Sequence, residues 1–112
     1  MKKKITIKED IHFRVLWLIE ETPEISQREL AKKLKISLGS VNFCIKALIE
    51  VGHIKVKNFE KNPNKLNYLY LLTPHGIEKK AKLTASFLKR KIIEFDLLKN
   101  EIELLTNKIG RS

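Results

Sequence analysis

The fold is decided by two neighbouring stretches, Ser26-Gln-Arg-Glu-Leu-Ala-Lys-Lys-Leu34 and Ser37-Leu-Gly-Ser-Val-Asn-Phe-Cys-Ile-Lys-Ala-Leu-Ile-Glu-Val-Gly52. In the first, Ser26 and Glu29 have the spacing of a capping box. The serine hydroxyl accepts the backbone N–H of the glutamate, and the glutamate carboxylate accepts the backbone N–H of the serine. A capping box closes the first turn of a helix, so it predicts a short helix over 27–34.

The second stretch predicts another helix three residues later. Ser37 is a favourable N-cap residue, and Gly52 is favourable just after a helix because glycine adopts the left-handed conformation without strain. Between them, apolar residues recur at helical spacing and form the predicted buried stripe of a helix over 38–51: Val41, Ile45, Leu48 and Ile49. A short helix, a three-residue turn and a second helix are typical of the helix-turn-helix motif.

A further helix is predicted before this motif, over residues 8–21. Its apolar residues recur at helical spacing: Ile11, Val15, Leu16, Leu18 and Ile19. Either Thr6 or Asp10 is expected to cap its N-terminus. Pro23 ends it, because proline cannot donate the helical hydrogen bond and disfavours helix in the residue before it.

After the motif, the hydrophobic period changes from that of a helix to that of a strand. Ile54-Lys-Val-Lys57 alternates apolar and basic residues, and Tyr68-Leu-Tyr-Leu-Leu72 is aromatic and aliphatic, so both are predicted strands. The segment 60–65 between them contains proline, asparagines and lysines, which favour a turn. A β-hairpin with a basic tip, directly after a helix-turn-helix, is a wing.

The last predicted helix begins at Thr73-Pro74, a cap followed by proline at the first helical position, and meets no helix breaker before Gly110. At 1.5 Å per residue it spans roughly 54 Å, which is longer than the domain it leaves. From Ala81 onward, apolar residues spaced by seven indicate the seam of a coiled coil. The predicted dimer-interface residues are Leu88, Phe95, Leu98, Ile102, Leu105 and Ile109.

The expected fold is therefore α+β and mainly helical. A winged helix-turn-helix domain is predicted over 5–73, followed by a long C-terminal dimerisation helix over 74–109. One small domain cannot bury the apolar seam of that helix, so we expect a second copy of the chain to cover it and the protein to be a homodimer.

Composition narrows the function. The chain has 112 residues and a formal net charge of +10, which points to a polyanionic partner, either nucleic acid or an anionic membrane surface. A single cysteine excludes an internal disulfide, and no apolar run approaches the roughly 20 residues of a membrane span. Charged residues at 8–10 interrupt the basic N-terminus before a signal-peptide core could form. We expect a cytoplasmic, nucleoid-associated protein with no membrane association.

The basic residues concentrate where the motif and the wing lie. Between Ser26 and Tyr68 there are nine basic and three acidic residues, a surplus of six positive charges. A charge surplus alone is often only a solvated surface, but its coincidence with a helix-turn-helix and a wing predicts duplex DNA as the partner. The side chains opposite the buried stripe of the second motif helix are the predicted recognition residues: Ser37, Gly39, Ser40, Asn42, Phe43 and Lys46.

The chemistry of these residues suggests their roles. Ser37 and Ser40 lie near a helix N-terminus, where hydroxyls and backbone N–H groups suit phosphate oxygens. Gly39 has no side chain and lets the DNA backbone approach closely. Asn42 can pair with adenine through two hydrogen bonds, whereas Lys46 is expected to meet a phosphate.

Phe43 has two interpretations: an exposed aromatic side chain that touches a thymine methyl group, or a side chain partly buried beneath the wing. Supporting contacts with DNA are expected from the start of the first motif helix, at Ser26, Gln27 and Arg28. The wing is expected to contact the DNA backbone or the adjacent minor groove through Lys57, Lys61, Asn62, Asn64 and Lys65.

No residue pattern indicates an enzyme, a cofactor or a metal site. His12, His53 and His75 have no paired ligand at helical spacing, so they are interpreted as isolated surface or packing residues. Cys44 is interpreted as a small buried apolar residue; the alternative, a redox sensor, needs an exposed thiolate of lowered pKa. The basic residues within 79–82 and 89–91 are interpreted as a solvated helix face, with additional phosphate contacts as the alternative.

Several stretches resemble a known family. Ser26-Gln-Arg-Glu-Leu-Ala31, Leu34 through Ser37, Val41 and Leu48 through Gly52 resemble the winged-helix core of the MarR-like transcriptional regulators. More specific stretches are similar to the small EPS-associated MarR-like regulators, which are found near bacterial exopolysaccharide gene clusters. These stretches are 37–44, 46–48, 57–59, 64–65, 70–74, 83–84 and 87–88. The resemblance runs over about residues 10–105.

The resemblance implies a bacterial DNA-binding transcription factor, a homodimer linked to polysaccharide production. It departs at Ser40, where the family pattern has lysine, and at Phe43, where it has tyrosine, so it does not define base preference or phosphate affinity there. The effector pocket of larger MarR-like proteins is not implied, because this chain has a short first helix and no extra terminal helix; any effector is unknown. The alternatives are a winged-helix protein-interaction module, a non-specific nucleic-acid binder and an RNA binder, the last disfavoured by the lack of an aromatic stacking platform.

Overall fold

The computed structural model describes residues 2–58 and 68–110, without the side chains of residues 2–7, 58 and 68. In chain order, the elements are α1 (Lys2–Glu21), α2 (Gln27–Leu34), α3 (Leu38–Glu50), β1 (Ile54–Asn58), β2 (Tyr68–Leu72) and α4 (Pro74–Gly110). This order confirms the predicted mainly helical winged helix-turn-helix with a long C-terminal helix.

The first helix is longer than predicted. The sequence predicted 8–21 with Thr6 or Asp10 as the N-cap, but α1 begins at Lys2 and both residues lie inside it, so this prediction is wrong. The reason is physical: the segment before residue 8 contains no proline or glycine, and lysine is a good helix former. A polar residue that could cap a helix does not start one when the residues before it are also helical.

The predicted capping box at the start of α2 is confirmed. The Ser26 hydroxyl accepts the backbone N–H of Glu29 at 3.1 Å, and the carboxylate of Glu29 accepts the backbone N–H of Ser26 at 3.5 Å. The helix ends at Lys35, which adopts the left-handed conformation with φ 57°. Its backbone N–H bonds the carbonyl oxygens of Ala31 and Lys32, and the chain turns there into α3.

The second motif helix, α3, also follows the prediction, with one exception on its buried side. Ser37 is its N-cap, and Gly52 has φ 80° just after its end. Of the predicted stripe, Ile49 is 38% exposed, and Cys44 lies in the core instead, at 5% exposed. At 100° per residue, positions 44 and 49 both lie about 40° outside the arc of 41, 45 and 48, on opposite sides, so helical spacing does not distinguish them and the packing of α3 against its neighbours decides which one is buried.

The predicted wing forms a two-stranded antiparallel sheet. β1 pairs with β2 in a register that runs from Ile54 opposite Leu72 to Asn58 opposite Tyr68. Ile54 and Tyr70 are buried on the inner face, and Lys55 and Lys57 are exposed. The predicted wing-tip contacts Lys61, Asn62, Asn64 and Lys65 lie outside the described residues.

The core lies where α1, α2, α3 and the sheet meet. Its most deeply buried side chains come from all of these elements: Val15, Leu16, Ile19, Ile25, Leu30, Val41, Ile45, Leu48 and Ile54. α4 adds Leu83, with Phe87 packed against the cluster. The orientation of α3 is therefore determined by a single contiguous core.

The N-terminal part of α4 belongs to the domain and packs antiparallel against α1. Phe13 stacks on Phe87 with ring centroids 4.8 Å apart. Two ion pairs flank this stack, Lys80 with Glu20 and Arg90 with Asp10. The expectation of a solvated face was thus wrong for Lys80 and Arg90, because α1 presents carboxylates at matching positions. The division into domains at 5–73 and 74–109 stays a prediction.

The start of α4 is anchored to the end of α3. The Thr73 hydroxyl caps α4 by accepting the backbone N–H of Gly76 at 3.0 Å, and it donates to the carbonyl oxygen of Gly52. The backbone N–H of Thr73 donates to the carbonyl oxygen of His53 at 3.1 Å. Beyond Arg90 the helix leaves the domain, and every residue from 91 to 110 is exposed. The chain is consequently elongated, with a longest dimension of 68 Å.

Candidate nucleic-acid interface

The predicted recognition residues come together on the outward side of α3. Ser37, Gly39, Ser40, Phe43 and Lys46 are exposed, whereas Asn42 is half-buried. Val41, Cys44, Ile45 and Leu48 hold the opposite side in the core. The helix therefore presents one polar surface with a single large apolar side chain at its centre.

Phe43 is the most exposed residue of this set, with 76% of its surface accessible. The described residues do not bury it, which favours the first interpretation, an aromatic side chain free to meet a partner. Burial of an aromatic side chain is worth roughly 1.5–3 kcal/mol. An exposed phenylalanine on a polar helix face is therefore available to gain this free energy by contact with a partner.

The N-terminus of α3 is closed by two serines. Ser37 Oγ accepts the backbone N–H of Ser40 at 3.0 Å and donates to Ser40 Oγ at 2.8 Å. Since Ser40 Oγ accepts this bond, its own hydroxyl hydrogen can point outward. The positive end of the helix dipole and the hydroxyl of Ser40 are thus available to a phosphate. A Cβ at Gly39 would lie no closer than 3.9 Å to Ser37 Oγ, so the protein itself does not require glycine there.

Asn42 belongs to a hydrogen-bonded chain that the sequence did not reveal. Its Nδ2 donates to Gln27 Oε1 at 3.2 Å, and Gln27 Nε2 donates to the hydroxyl of Tyr70 at 3.2 Å. Tyr70 is buried on β2, and its backbone N–H donates to the carbonyl oxygen of Pro23 at 3.0 Å. The three side chains connect α3, the start of α2 and the wing, so they couple the orientation of the recognition surface to both neighbours.

Tyr70 is the positioning residue that sequence reasoning missed. Positions 27, 42 and 70 are far apart in the chain, and no spacing rule connects them. The available signal was chemical: a tyrosine on the inner side of a wing strand usually finds a hydrogen-bond partner when it is buried. Gln27 was predicted as a DNA-supporting residue; the structure shows it half-buried and bonded to Asn42, whereas Ser26 and Arg28 are exposed.

Cys44 lies on the inner side of α3 and is 5% exposed. Burial raises the pKa of its thiol to about 11, against a smaller opposing effect of Lys8. The thiol is therefore protonated at neutral pH. This supports the interpretation of Cys44 as a small core residue and opposes a redox sensor, which needs a thiolate.

The three histidines were interpreted as surface or packing residues, and the structure adds that His53 and His75 contact each other, which their separation in the chain did not reveal. Their rings lie 4.6 Å apart at the junction of α3 and α4, and His53 is 9% exposed, with no hydrogen-bond partner for Nδ1 among the described residues. His12, on α1, and His53 both line a cleft of about 490 Å³, which is also lined by Lys8 and Lys79. The fold therefore brings His53, which follows α3, close to His12 on α1 and to His75 on α4. Among the described residues, no group of metal-ligating side chains could hold an ion.

Acidification is expected to destabilise the fold through this cluster. Burial lowers the pKa of His53, helped by His75 and Lys79, and burial lowers the pKa of His12, helped by Lys8, Lys79 and His53 and opposed by Glu9. Because the unfolded chain binds protons more readily, stability is lost as the pH falls through 6.5, the ordinary histidine pKa, towards the lowered folded values. The urea midpoint should be lower at pH 5.5 than at pH 7.5.

The control for this prediction is the double variant His12→Gln and His53→Gln. It removes both titrating groups, so its urea midpoint should change less between the two pH values than that of the wild type. His75→Gln, at an exposed position, removes only a smaller contribution to the lowered pKa of His53 and should keep most of the acid sensitivity. An acid-induced decrease of equal size in the wild type and the double variant would show that these histidines do not control it.

Comparison with known proteins agrees with this geometry. Residues 8–55 match the family described as winged helix-turn-helix DNA-binding. The fold is similar to that of a MarR/EmrR family transcriptional regulator from Acinetobacter sp. ADP1, with 19% identity, a TM-score of 0.62, and coverage of 90% of this chain and 75% of that one. A search of curated protein sequences gives no match.

Two further solved structures have the same architecture. A MarR transcriptional regulator from Methanosarcina mazei Go1 is 21% identical, with a TM-score of 0.62 over 88% of this chain and 75% of that one. The transcriptional regulator SlyA is 21% identical, with a TM-score of 0.68 over 89% and 70%. The chain therefore has the winged helix-turn-helix fold of MarR-family transcriptional regulators. None of the helices in the described ranges is long and apolar enough to cross a bilayer.

Proposed function

We propose that this protein is a sequence-specific duplex-DNA-binding transcriptional regulator that acts as a homodimer in the bacterial cytoplasm. The observation that carries the proposal is the outward side of α3, where the predicted recognition residues form one surface. This helix lies within the segment that matches the DNA-binding family. The surplus of six positive charges over the motif and the wing supports a polyanionic partner.

The recognition surface suits the major groove of B-DNA. An α-helix fits that groove, and the amide of Asn42, the ring of Phe43 and the ammonium group of Lys46 are the kinds of side chains that read base edges or hold phosphates there. Ser40 at the helix N-terminus is suited to a phosphate oxygen. Lys57 on β1 is exposed and can place the wing against the DNA backbone.

The proposal extends to the target genes through the sequence resemblance. The stretches that are similar to the EPS-associated regulators favour an exopolysaccharide gene cluster as the target. In a bacterium that encodes the protein, deletion of its gene should change the transcript levels of such a cluster. Unchanged transcripts across that cluster would contradict this part of the proposal and leave the DNA-binding part to its own test.

DNA binding is tested by fluorescence anisotropy with duplexes from the gene's own upstream region and with duplexes enriched from a random library. A sequence-reading regulator should prefer its best duplex over a scrambled one by about 10³-fold or more. Its log affinity should fall with log salt concentration by about 0.9 for each phosphate neutralised. A steep salt dependence without preference would indicate a non-specific binder. Little binding at low salt would indicate the protein-interaction module instead.

Replacing Asn42 by alanine is expected to reduce specific binding by about 1–3 kcal/mol while leaving non-specific binding nearly unchanged. The reason is that a bidentate contact with a base carries discrimination, whereas phosphate contacts do not. The measurement is anisotropy on the specific and the scrambled duplex at one salt concentration.

The matched control for this variant is Gln27→Ala. It removes the hydrogen bond that Gln27 makes with Asn42 but keeps the asparagine amide, so it should change discrimination less than Asn42→Ala. Equal losses of affinity on both duplexes for Asn42→Ala would contradict a base-reading role. Equal losses of discrimination for the two variants would indicate that Asn42 only positions α3.

A further inference from the structure

The distal part of α4 extends beyond the rest of the fold and has an exposed apolar seam. Arg90 forms an ion pair with Asp10 of α1. Beyond Arg90, α4 continues for 20 residues, or roughly 30 Å. The seam residues defined by the sequence are each more than half exposed: Leu88, Phe95, Leu98, Ile102, Leu105 and Ile109. A depression of about 250 Å³ lies on this side. Four of the residues around it have the spacing of a coiled-coil hole that receives one knob from a facing helix: Phe95, Leu98, Lys99 and Ile102.

We propose that this seam binds the same seam of a second copy, with the two α4 helices parallel and in register. The inference deepens the proposed function and rests on it, because it names the arrangement of the regulator's own partner. In register, each apolar residue of the seam from Phe95 onward faces its own copy, and the hole around Leu98 receives Leu98 of the second chain. In a parallel pair, every apolar seam residue from Phe95 onward therefore packs against an apolar residue of the second chain.

Charge complementarity and apolar contact together favour this orientation. In a parallel coiled coil, the residue before an a position lies beside the residue five places later on the other helix. This pairs Glu94 with Lys99, and two-fold symmetry provides the pair twice. The next pair, Glu101 with Thr106, is neutral. Lys91, at the start of the seam, lies opposite its own copy in this arrangement. Within its own chain its ammonium group lies 3.0 Å from the carboxylate of Glu94 and 5.2 Å from the ring centroid of Phe87, and these contacts offset the repulsion.

Antiparallel pairing meets like charges or loses contact. The register that places Phe95 opposite Leu105 also places Lys99 opposite its own copy and Glu101 opposite its own copy. Sliding by one heptad towards the domain places Glu94 opposite Glu101, again twice. Sliding by one heptad the other way pairs Glu101 with Lys108 twice but leaves Phe95 without an apolar partner. The first two registers are disfavoured by like charges opposite each other, and the third is disfavoured by the lost apolar contact.

The parallel arrangement has a consequence for DNA. Parallel helices keep the two winged helix-turn-helix units at the same end of the rod, where both α3 helices can face one duplex. Two recognition helices roughly 34 Å apart would then read half-sites of a pseudo-palindromic operator. An antiparallel pair would place the two units at opposite ends.

The test is a charge exchange measured by sedimentation equilibrium without DNA. Glu94→Lys should weaken the dimer roughly tenfold, because two attractive pairs become repulsive. The double variant Glu94→Lys with Lys99→Glu restores opposite charges and should return the dimer constant to within about threefold of the wild type. Glu101→Lys is the matched control: it changes the same charge at the equivalent heptad position, opposite a threonine, and should have little effect.

Small-angle X-ray scattering provides a second readout. A parallel dimer should have a longest dimension of roughly 80 Å, close to the 68 Å of one chain. An antiparallel dimer that overlaps only through the seam should reach roughly 110 Å. The longer particle, a double variant without rescue, or a protein that stays monomeric would each overturn the proposal. Because neither measurement contains DNA, their failure is distinguishable from a failure of DNA binding.

Discussion

Replacing Gly76 by alanine is expected to destabilise the fold by about 3 kcal/mol, at the upper end of the usual overpacking effect. A Cβ built at this position would lie 2.0 Å from the carbonyl oxygen of His53 and 2.9 Å from its carbonyl carbon. Both atoms are backbone, so no side chain can rotate away. That oxygen also accepts the backbone N–H of Thr73, so a movement to relieve the clash breaks the connection between the end of α3 and the start of α4. The measurement is urea unfolding at fixed protein concentration.

Two glycines of the same chain provide the controls. Gly110 has no described atom within 4 Å of a built Cβ, and at Gly39 the nearest is 3.9 Å away. Both lie in helices, where alanine is favoured over glycine by roughly 0.5–1 kcal/mol. Alanine at either position should therefore leave the free energy of unfolding unchanged or raise it. A loss below about 1 kcal/mol for Gly76→Ala would show that α4 can shift its first turn without cost to the rest of the fold.

The double variant Phe95→Lys with Ile102→Lys is expected to convert the dimer into a monomer. In a dimer the two substitutions remove four apolar side chains from the seam, each worth roughly 1.5–3 kcal/mol when buried, and place four ammonium groups there. The predicted loss is more than about 5 kcal/mol of association free energy. Sedimentation equilibrium measures it directly, and anisotropy should then show weaker binding to a two-half-site operator.

The opposite side of α4 offers a matched control. Leu97 and Leu104 are also seven residues apart and are each 65% exposed, but they lie about 160° around the helix from Phe95 and Ile102. Leu97→Lys with Leu104→Lys adds the same charge to the same segment and should leave the dimer intact. An unchanged dimer for Phe95→Lys with Ile102→Lys would contradict the seam. A monomer from the control pair would place the interface on the other side.

Local chemistry explains why much of the fold was predictable. The capping box at Ser26, the cap at Ser37 and the left-handed Gly52 are each decided by neighbours within a few residues, and the structure confirms all three. The change of hydrophobic period after Gly52 predicted both wing strands. The same reasoning failed at the start of α1, where a cap at Thr6 or Asp10 competes with an uninterrupted helical segment before it.

The candidate interface was predictable only in part. The outward side of α3 follows from helical spacing, since the buried stripe determines which residues are exposed, and five of the six predicted recognition residues are exposed as expected. Asn42 differs because its partner, Gln27, belongs to another helix. Helical spacing predicts the face of the helix on which a side chain lies, but it does not predict which residue of another element forms a hydrogen bond with it. The DNA contacts themselves stay predictions.

By itself, the sequence determined the order of the elements, the reading side of α3 and the apolar seam of α4, because periodicity and caps depend on neighbours along the chain. Only the tertiary structure decided which distant groups meet. It brought Asn42, Gln27 and Tyr70 into one hydrogen-bonded chain, placed His53 against His75, and laid the backbone of His53 over Gly76. These contacts arise from how whole helices pack around one core, and packing depends on shape and volume summed over many residues.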